Sequence, residues 1–152
     1  MIYVIIILGI LIGDGFIKNY IEEKKVLGEE KSILKGKIIV TKHHNKGAML
    51  NFMEKKPEWV KRASCVCAGG VIVFFAELFS KNKNILLKMG TSLLAGGGFS
   101  NLYDRLKKGY VVDYFIINKG RLKKVIFNLS DIMIFAGGLF IIMGSLFENK
   151  KK

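Results

Sequence analysis

Apolar residues gather into four long stretches, at residues 1–17, 63–79, 85–103 and 125–147, separated by connections rich in lysine and polar side chains. Each stretch is 17 to 23 residues long, close to the roughly 20 residues that a helix needs to cross about 30 Å of hydrocarbon. The first, MIYVIIILGILIGDGFI, carries a single charge at Asp14. The other three hold Glu77, Lys88 and Asp131 within them or near their ends, where long side chains reach interfacial water while the helix satisfies its own backbone. A chain this short has too little interior to bury every face of four such helices in a soluble bundle. The pattern therefore predicts four membrane spans.

The connections are unequal. The first, residues 18–62, opens with the polar KNYIEEKKVLGEEK and continues into SILKGKIIVT, whose β-branched residues and partial alternation predict a short sheet at the membrane surface. Pro57 and Trp59 follow, the tryptophan placed as an interfacial anchor. A few residues around SKNKN join the second and third stretches as an antiparallel pair. The third connection contains YVVDYFII, an apolar island too short to span and predicted to lie at the interface or beside the helices. The expected fold class is an all-α membrane protein of four transmembrane helices, with a small extramembrane β-containing region between helices 1 and 2. The whole of residues 1–152 is expected to form one integral membrane domain.

Charge sharpens the picture. Twenty-five Lys and Arg against twelve Asp and Glu give a net charge of +13. These basic residues flank apolar spans, without zinc-finger spacing or an aromatic RNA-binding signature, so membrane phospholipids with anionic headgroups are the expected counterpart and no nucleic acid is. The first and third connections hold nineteen of the twenty-five basic residues, and a plain positive-inside count puts them in the cytoplasm. The first stretch has no basic n-region and no small-residue cleavage site after it, which predicts a retained helix rather than a removed leader. Cys65 and Cys67 lie two apart, without a second pair, and are expected as small buried side chains; His43 and His44 read as a solvated turn. No metal and no cofactor is expected.

The acids carry the candidate chemistry, because a charge inside a membrane domain needs a partner or a purpose. Asp14 and Lys18 are four apart on one helix face, as an interfacial ion pair or as part of a site. In GGGFSNLYDR, glycines precede Asn101, Asp104 and Arg105; the glycines permit close helix contact, and Asn101 and Asp104 share a face. Asp113, in VVDYF, and Asp131, in FNLSD beside Asn128, can meet at one membrane boundary as far as chain connectivity is concerned. Two carboxylates in a low-dielectric site would share one proton, one activating water and the other polarising a peptide carbonyl. Residue spacing leaves alternatives open: a small transporter or a proton- or ion-handling protein using the same acids, or a noncatalytic scaffold in which they cap helices.

At these residues the chain resembles lipoprotein signal peptidase, the membrane aspartyl peptidase family also called signal peptidase II. The likeness runs over nearly the whole chain: Asp14 and Lys18, Asn45 with Gly47 and Ala48 in NKGAML, GGGFSNLYDR, VVDYF and FNLSD, in order. It implies Asp113 and Asp131 as the catalytic dyad. It further implies that Asp14, Lys18, Asn45, Gly47, Asn101, Asp104, Arg105 and Asn128 line or brace the site. The implied substrate is a precursor protein carrying diacylglyceryl on cysteine, cut just before that residue, in a bacterial plasma membrane with both termini cytoplasmic and the dyad toward the outer side. One chain supplies both acids, so a monomer is expected. The chain departs from the family pattern at Met49 and Leu50, at Ser100 where glycine is usual, and at Ser130 where alanine is common.

Overall fold

The computed structural model describes residues 1–48, 52–80 and 84–149; Met49 and Leu50 lie outside them. Four long helices and a four-stranded antiparallel sheet make up the described chain. In order they are α1 (Ile2–Lys24), β1 (Lys31–Ile33), β2 (Ile38–Asn45), α2 (Pro57–Ser80), α3 (Ile85–Lys107), β3 (Val111–Ile117), β4 (Ile126–Phe127) and α4 (Leu129–Asn149), with a 3₁₀ turn at Gly120–Lys124.

Among the described residues, three helical segments are long and apolar enough to cross a membrane: Ile2–Lys24, Pro57–Phe79 and Leu129–Glu148. The fourth helix, α3, is diluted by Lys88, Asp104, Arg105, Lys107 and a run of Gly, Ser and Thr. Its position explains its composition. It packs against α1, α2 and α4 and buries Gly90, Thr91, Ser92, Ala95, Gly96 and Gly97, so small side chains that let backbones meet replace the large apolar ones suited to lipid. A Cβ added at Gly90 would lie 2.7 Å from the Gly137 carbonyl oxygen of α4, and one at Gly96 would lie 2.9 Å from the Ile10 side chain of α1. By contrast α1, α2 and α4 turn Ile5, Leu8, Val66, Val73, Leu139 and Ile142 outward, as helices in contact with acyl chains do.

The sheet, in the order β1-β2-β3-β4, draws on both large connections rather than on the first alone. The YVVDYFII island is its third strand, paired with β2 in a register that sets His43 against Asp113 and Asn45 against Val111. Pairing satisfies a backbone that an isolated apolar segment would leave bare. Alternation along β3 gives it two faces: Val112 and Tyr114 form a small core with Ile21 of α1, while Val111 and Asp113 line a groove on the other side.

Several boundaries differ from the hydropathy pattern. α1 continues seven residues past Ile17, to Lys24, because Lys18 is buried against partners rather than ending the helix. α4 begins at Leu129, not Val125, since Ile126 and Phe127 are taken into the sheet edge beside Ile116 and Phe115. His43 and His44 belong to strand β2 instead of a turn, and His44 stacks on Tyr110 with ring centroids 3.9 Å apart. Cys65 and Cys67 are exposed, not buried; α2 touches the rest of the bundle chiefly through α3 and leaves most of its surface open.

Candidate active site

α4 starts with a reciprocal cap. The Asp131 backbone N–H donates to Asn128 Oδ1 at 2.9 Å, and the Asn128 backbone N–H donates to Asp131 Oδ2 at 3.2 Å. This is the capping-box arrangement, with asparagine at the cap and an acid three residues on. One consequence is that the Asp131 carboxylate is held at the helix entrance, where backbone N–H groups favour negative charge. Asn128 is completely buried, and its Nδ2 donates to Asp113 Oδ1 at 2.6 Å and to Asn101 Oδ1 at 3.2 Å. Asn101 Nδ2 in turn donates to Asp131 Oδ1 at 2.9 Å. Two asparagine amides thus link Asp113 and Asp131, and both acids line the same groove.

Asp113 is nearly inaccessible, with only 2% of its surface exposed. Asn45 Nδ2 donates to its other oxygen, Oδ2, at 2.9 Å. Burial, then the neighbouring Asp131 charge, push Asp113 up to about 7, against the opposing hydrogen bonds from Asn45 and Asn128. Its change of protonation state therefore falls near neutral pH.

Behind the acids lies a buried ionic cluster. Lys18 Nζ is 2.8 Å from Asp14 Oδ2 and 3.1 Å from Asp104 Oδ2, and donates to Asn101 Oδ1 at 2.9 Å and Ser100 Oγ at 3.2 Å. Asp14 accepts from Ser100 Oγ at 2.6 Å, from Ser130 Oγ and from Tyr114 Oη at 3.0 Å. The two hydroxyls that depart from the family pattern thus converge on one carboxylate oxygen. Asp104 also accepts from the Val112 backbone N–H at 3.2 Å and pairs with Lys108 at 2.9 Å, fixing β3 to the end of α3. Such a cluster is retained only when every charge has close partners, and here Lys18 and both acids do.

Tyr114 was not singled out from the sequence. Its hydroxyl accepts the Leu129 N–H at 2.8 Å while donating to Asp14, so it ties the first turn of α4 to α1. Burial and the Asp14 charge raise its phenol well above the usual range, which keeps the donor proton in place. A hydroxyl inside an apolar island was the available signal.

The groove extends from the acids along α2, α3 and α4 with a cavity volume of ≈ 620 Å³. Along α2 its wall is Trp59, Ala63, Cys67 and Val71, every fourth residue; Gly98 faces it from α3 and Phe135 from α4. Arg105 stands beside it, Nη2 donating to the Gly47 carbonyl at 2.9 Å, while its buried Nε has no partner among the described residues. Gly47 N–H donates to Asn45 Oδ1 at 2.9 Å. All ten residues singled out in the sequence are in this one connected region. No group of three or more potential metal ligands exists among the described residues.

A helical membrane protein with two linked carboxylates at the end of an apolar groove has the layout of an aspartyl peptidase that works on membrane-bound chains. The signal peptidase II family, peptidase family A8, matches residues 6–147. The chain belongs to that family. It is similar to proteins named lipoprotein signal peptidase from Lactiplantibacillus plantarum (33% identity, covering 97% of this chain and 96% of that protein) and Fusobacterium nucleatum (28%, covering 100% and 90%). One from Lactobacillus johnsonii is 31% identical over 99% and 95% of the two chains. Two solved bacterial membrane enzymes share the fold. One has a TM-score of 0.86 at 24% identity, covering 99% of this chain and 90% of that one. For the other the values are 0.79 and 23%, over 95% and 92%.

Proposed function

We propose that this chain is a metal-independent aspartyl endopeptidase that removes the signal peptide from lipid-modified precursor proteins, cutting just before the diacylglyceryl-cysteine, with Asp113 and Asp131 as the catalytic pair. The observation that carries the reading is the shared groove and the Asn128–Asn101 linkage of two carboxylates, one of them poised to titrate near neutrality. Asp131 as carboxylate takes a proton from water while the water oxygen bonds to the scissile carbonyl carbon. Asp113 gives its proton to the carbonyl oxygen, producing a gem-diol. Asp131 then protonates the departing amine as the C–N bond breaks, and Asp113 recovers a hydroxyl proton as the new carboxyl forms. The asparagines hold both carboxylates in register for those transfers, and Arg105 Nε, without a hydrogen-bond partner among the described residues, offers a donor to a substrate oxygen.

The signal-peptide helix would lie against the α2 wall, along Ala63, Cys67 and Val71 beyond Trp59, and the open Gly98, its lipid remaining in the bilayer. We assign all four helices as spans of a bacterial plasma membrane, α3 crossing as the central helix shielded by the other three. Both termini are then cytoplasmic and the dyad faces outward. The working unit is a monomer in contact with membrane phospholipids, forming one domain over residues 1–152.

The test is cleavage of purified precursor, lipidated and unlipidated, by the native chain and by Asp113→Asn and Asp131→Asn. The native chain should cut only the lipidated form and both variants should be inactive though membrane-inserted. Full cleavage by either variant removes the assigned pair.

A further inference from the structure

One end of the sheet, remote from the acids, carries a surface that peptide cleavage does not use. The turn between β1 and β2 presents Leu34, Lys35 and Lys37, and the segment after β3 presents Lys119, Arg121, Leu122, Lys123 and Lys124; all eight are exposed. The two segments are 82 residues apart in sequence but joined in space: Asn118 N–H donates to the Lys37 carbonyl at 2.9 Å and Asn118 Nδ2 to the Gly36 carbonyl at 2.6 Å. Six cations therefore share one tip. No acidic residue occurs between Glu30 and Glu54 or between Asp113 and Asp131, and among the described residues none of the six is in an ion pair.

The apolar residues of the tip point outward too, Leu34 being 65% and Leu122 43% exposed. The turn holding Leu34 is an unusual one. Leu34 and Lys35 both have positive φ, 51° and 55°, and the Gly36 N–H closes on the Ile33 carbonyl at 3.1 Å. Asn-Gly makes such a turn with little strain, whereas leucine and lysine are disfavoured in that backbone region. The strained turn displays one large apolar side chain and one cation together.

Exposed leucines set among unpaired lysines and arginine suit a surface that is apolar just below a layer of negative charge, because the aliphatic stems enter the acyl region while the charges meet phosphates. A soluble acidic protein would satisfy the cations but not the leucines. We propose that this tip, Leu34 to Lys37 with Lys119 to Lys124, is a docking surface for anionic phospholipid headgroups that anchors the sheet on the leaflet outside the bundle. The inference rests on the membrane-embedded reading of the helices. It gives the basic connections a function on the side of the membrane where the acid pair is proposed to work, a placement the positive-inside count alone opposes.

The experiment uses the full chain in lipid nanodiscs with Leu122→Trp as reporter, the Trp59 signal being subtracted using the chain without the reporter. At equal mole fraction in low salt, brominated phosphatidylglycerol should quench the added fluorescence at least about threefold more than brominated phosphatidylcholine. This is a conservative expectation, since one basic residue at an anionic surface is worth roughly fivefold in partition. The preference should vanish in about 1 M salt, where charges are screened beyond about 3 Å, and on replacing Lys35, Lys119, Arg121 and Lys124 together by Gln. Equal quenching by the two lipids, or a preference surviving those replacements, overturns the proposal. So does absence of quenching by either lipid, or binding of a soluble acidic peptide at the tip without quenching. Cleavage of lipidated precursor in detergent by the same variants reads the peptidase separately and should be unchanged.

Discussion

The side-chain amide of Asn128 reaches Asp113 Oδ1 over 2.6 Å, and this asparagine is also the cap of α4. The helix that presents one acid is thus terminated by the residue that orients the other. Helix geometry and site geometry cannot be altered independently at this position.

Asn128→Ala should consequently lose on two counts. The missing cap should cost about 1 kcal/mol of stability, visible as a lower thermal midpoint in detergent. Losing the bond that holds Asp113 should reduce kcat by roughly a hundredfold, the scale for a misplaced catalytic group. Asn128→Ser keeps a capping oxygen but removes the amide donor, so it should regain the stability and not the rate. A variant at native rate would show that Asp113 is positioned without Asn128.

The raised Asp113 predicts a pH signature. The proposed chemistry uses its proton, so kcat/KM should fall as the pH rises through about 7. For stability the sign is the same. The folded state holds this proton more tightly than the unfolded chain, so the contribution is fully present below the unfolded carboxyl value, near 3.9. It is lost as the pH rises through about 7. Asp113→Asn should remove that component from a comparison of unfolding at pH 5 and pH 8. Asp131→Asn, which deletes a neighbouring charge that raises Asp113, should move its titration downward, followed by the carboxyl stretch in infrared spectra.

Lys18 is completely buried and holds Asp14 and Asp104 together. Lys18→Met leaves the buried Asp14 without its cation and Asp104 with Lys108 alone, and breaking such an arrangement from one side costs about 3–5 kcal/mol. The variant should reach the membrane in low yield and unfold at markedly lower temperature. Near-native thermal stability would mean that other groups compensate both acids.

Adjacent glycines should respond in opposite ways. A Cβ at Gly97 would run into the Ser130 carbonyl oxygen of α4, whereas at Gly98 nothing lies within 4 Å. Gly97→Ala should therefore separate α3 from α4 and destabilise by about 1–3 kcal/mol. Gly98→Leu should preserve stability but intrude into the groove, raising KM for a lipidated precursor. Equal effects on stability would contradict the packing described.

Much of this could be read from the chain before folding it. Length and polarity alone delimit the apolar stretches, since a backbone in hydrocarbon has few ways to satisfy itself. Helical spacing places Asp14 beside Lys18 and Asn101 beside Asp104, because residues three or four apart share a face. Asn128 three before Asp131 is likewise a local capping signal. The β-branched run after Ser32 announces a strand, but not its partner in the third connection.

Other features have no local cause. Hydropathy sets α3 apart as the least apolar of the four helices, but it does not reveal that the other three pack around it. The tight Gly97 and the open Gly98 are the same residue in one run, distinguished only by where α4 passes. Cys67 and Trp59 join the groove because α2 leans chiefly on α3. Amino-acid order determined the apolar stretches, the local caps and the inventory of acids, all set by interactions within a few residues. Packing decided which acids meet, because Asp113 and Asp131 are brought together by β3 pairing with a strand from another connection and by Asn101 arriving on a third helix.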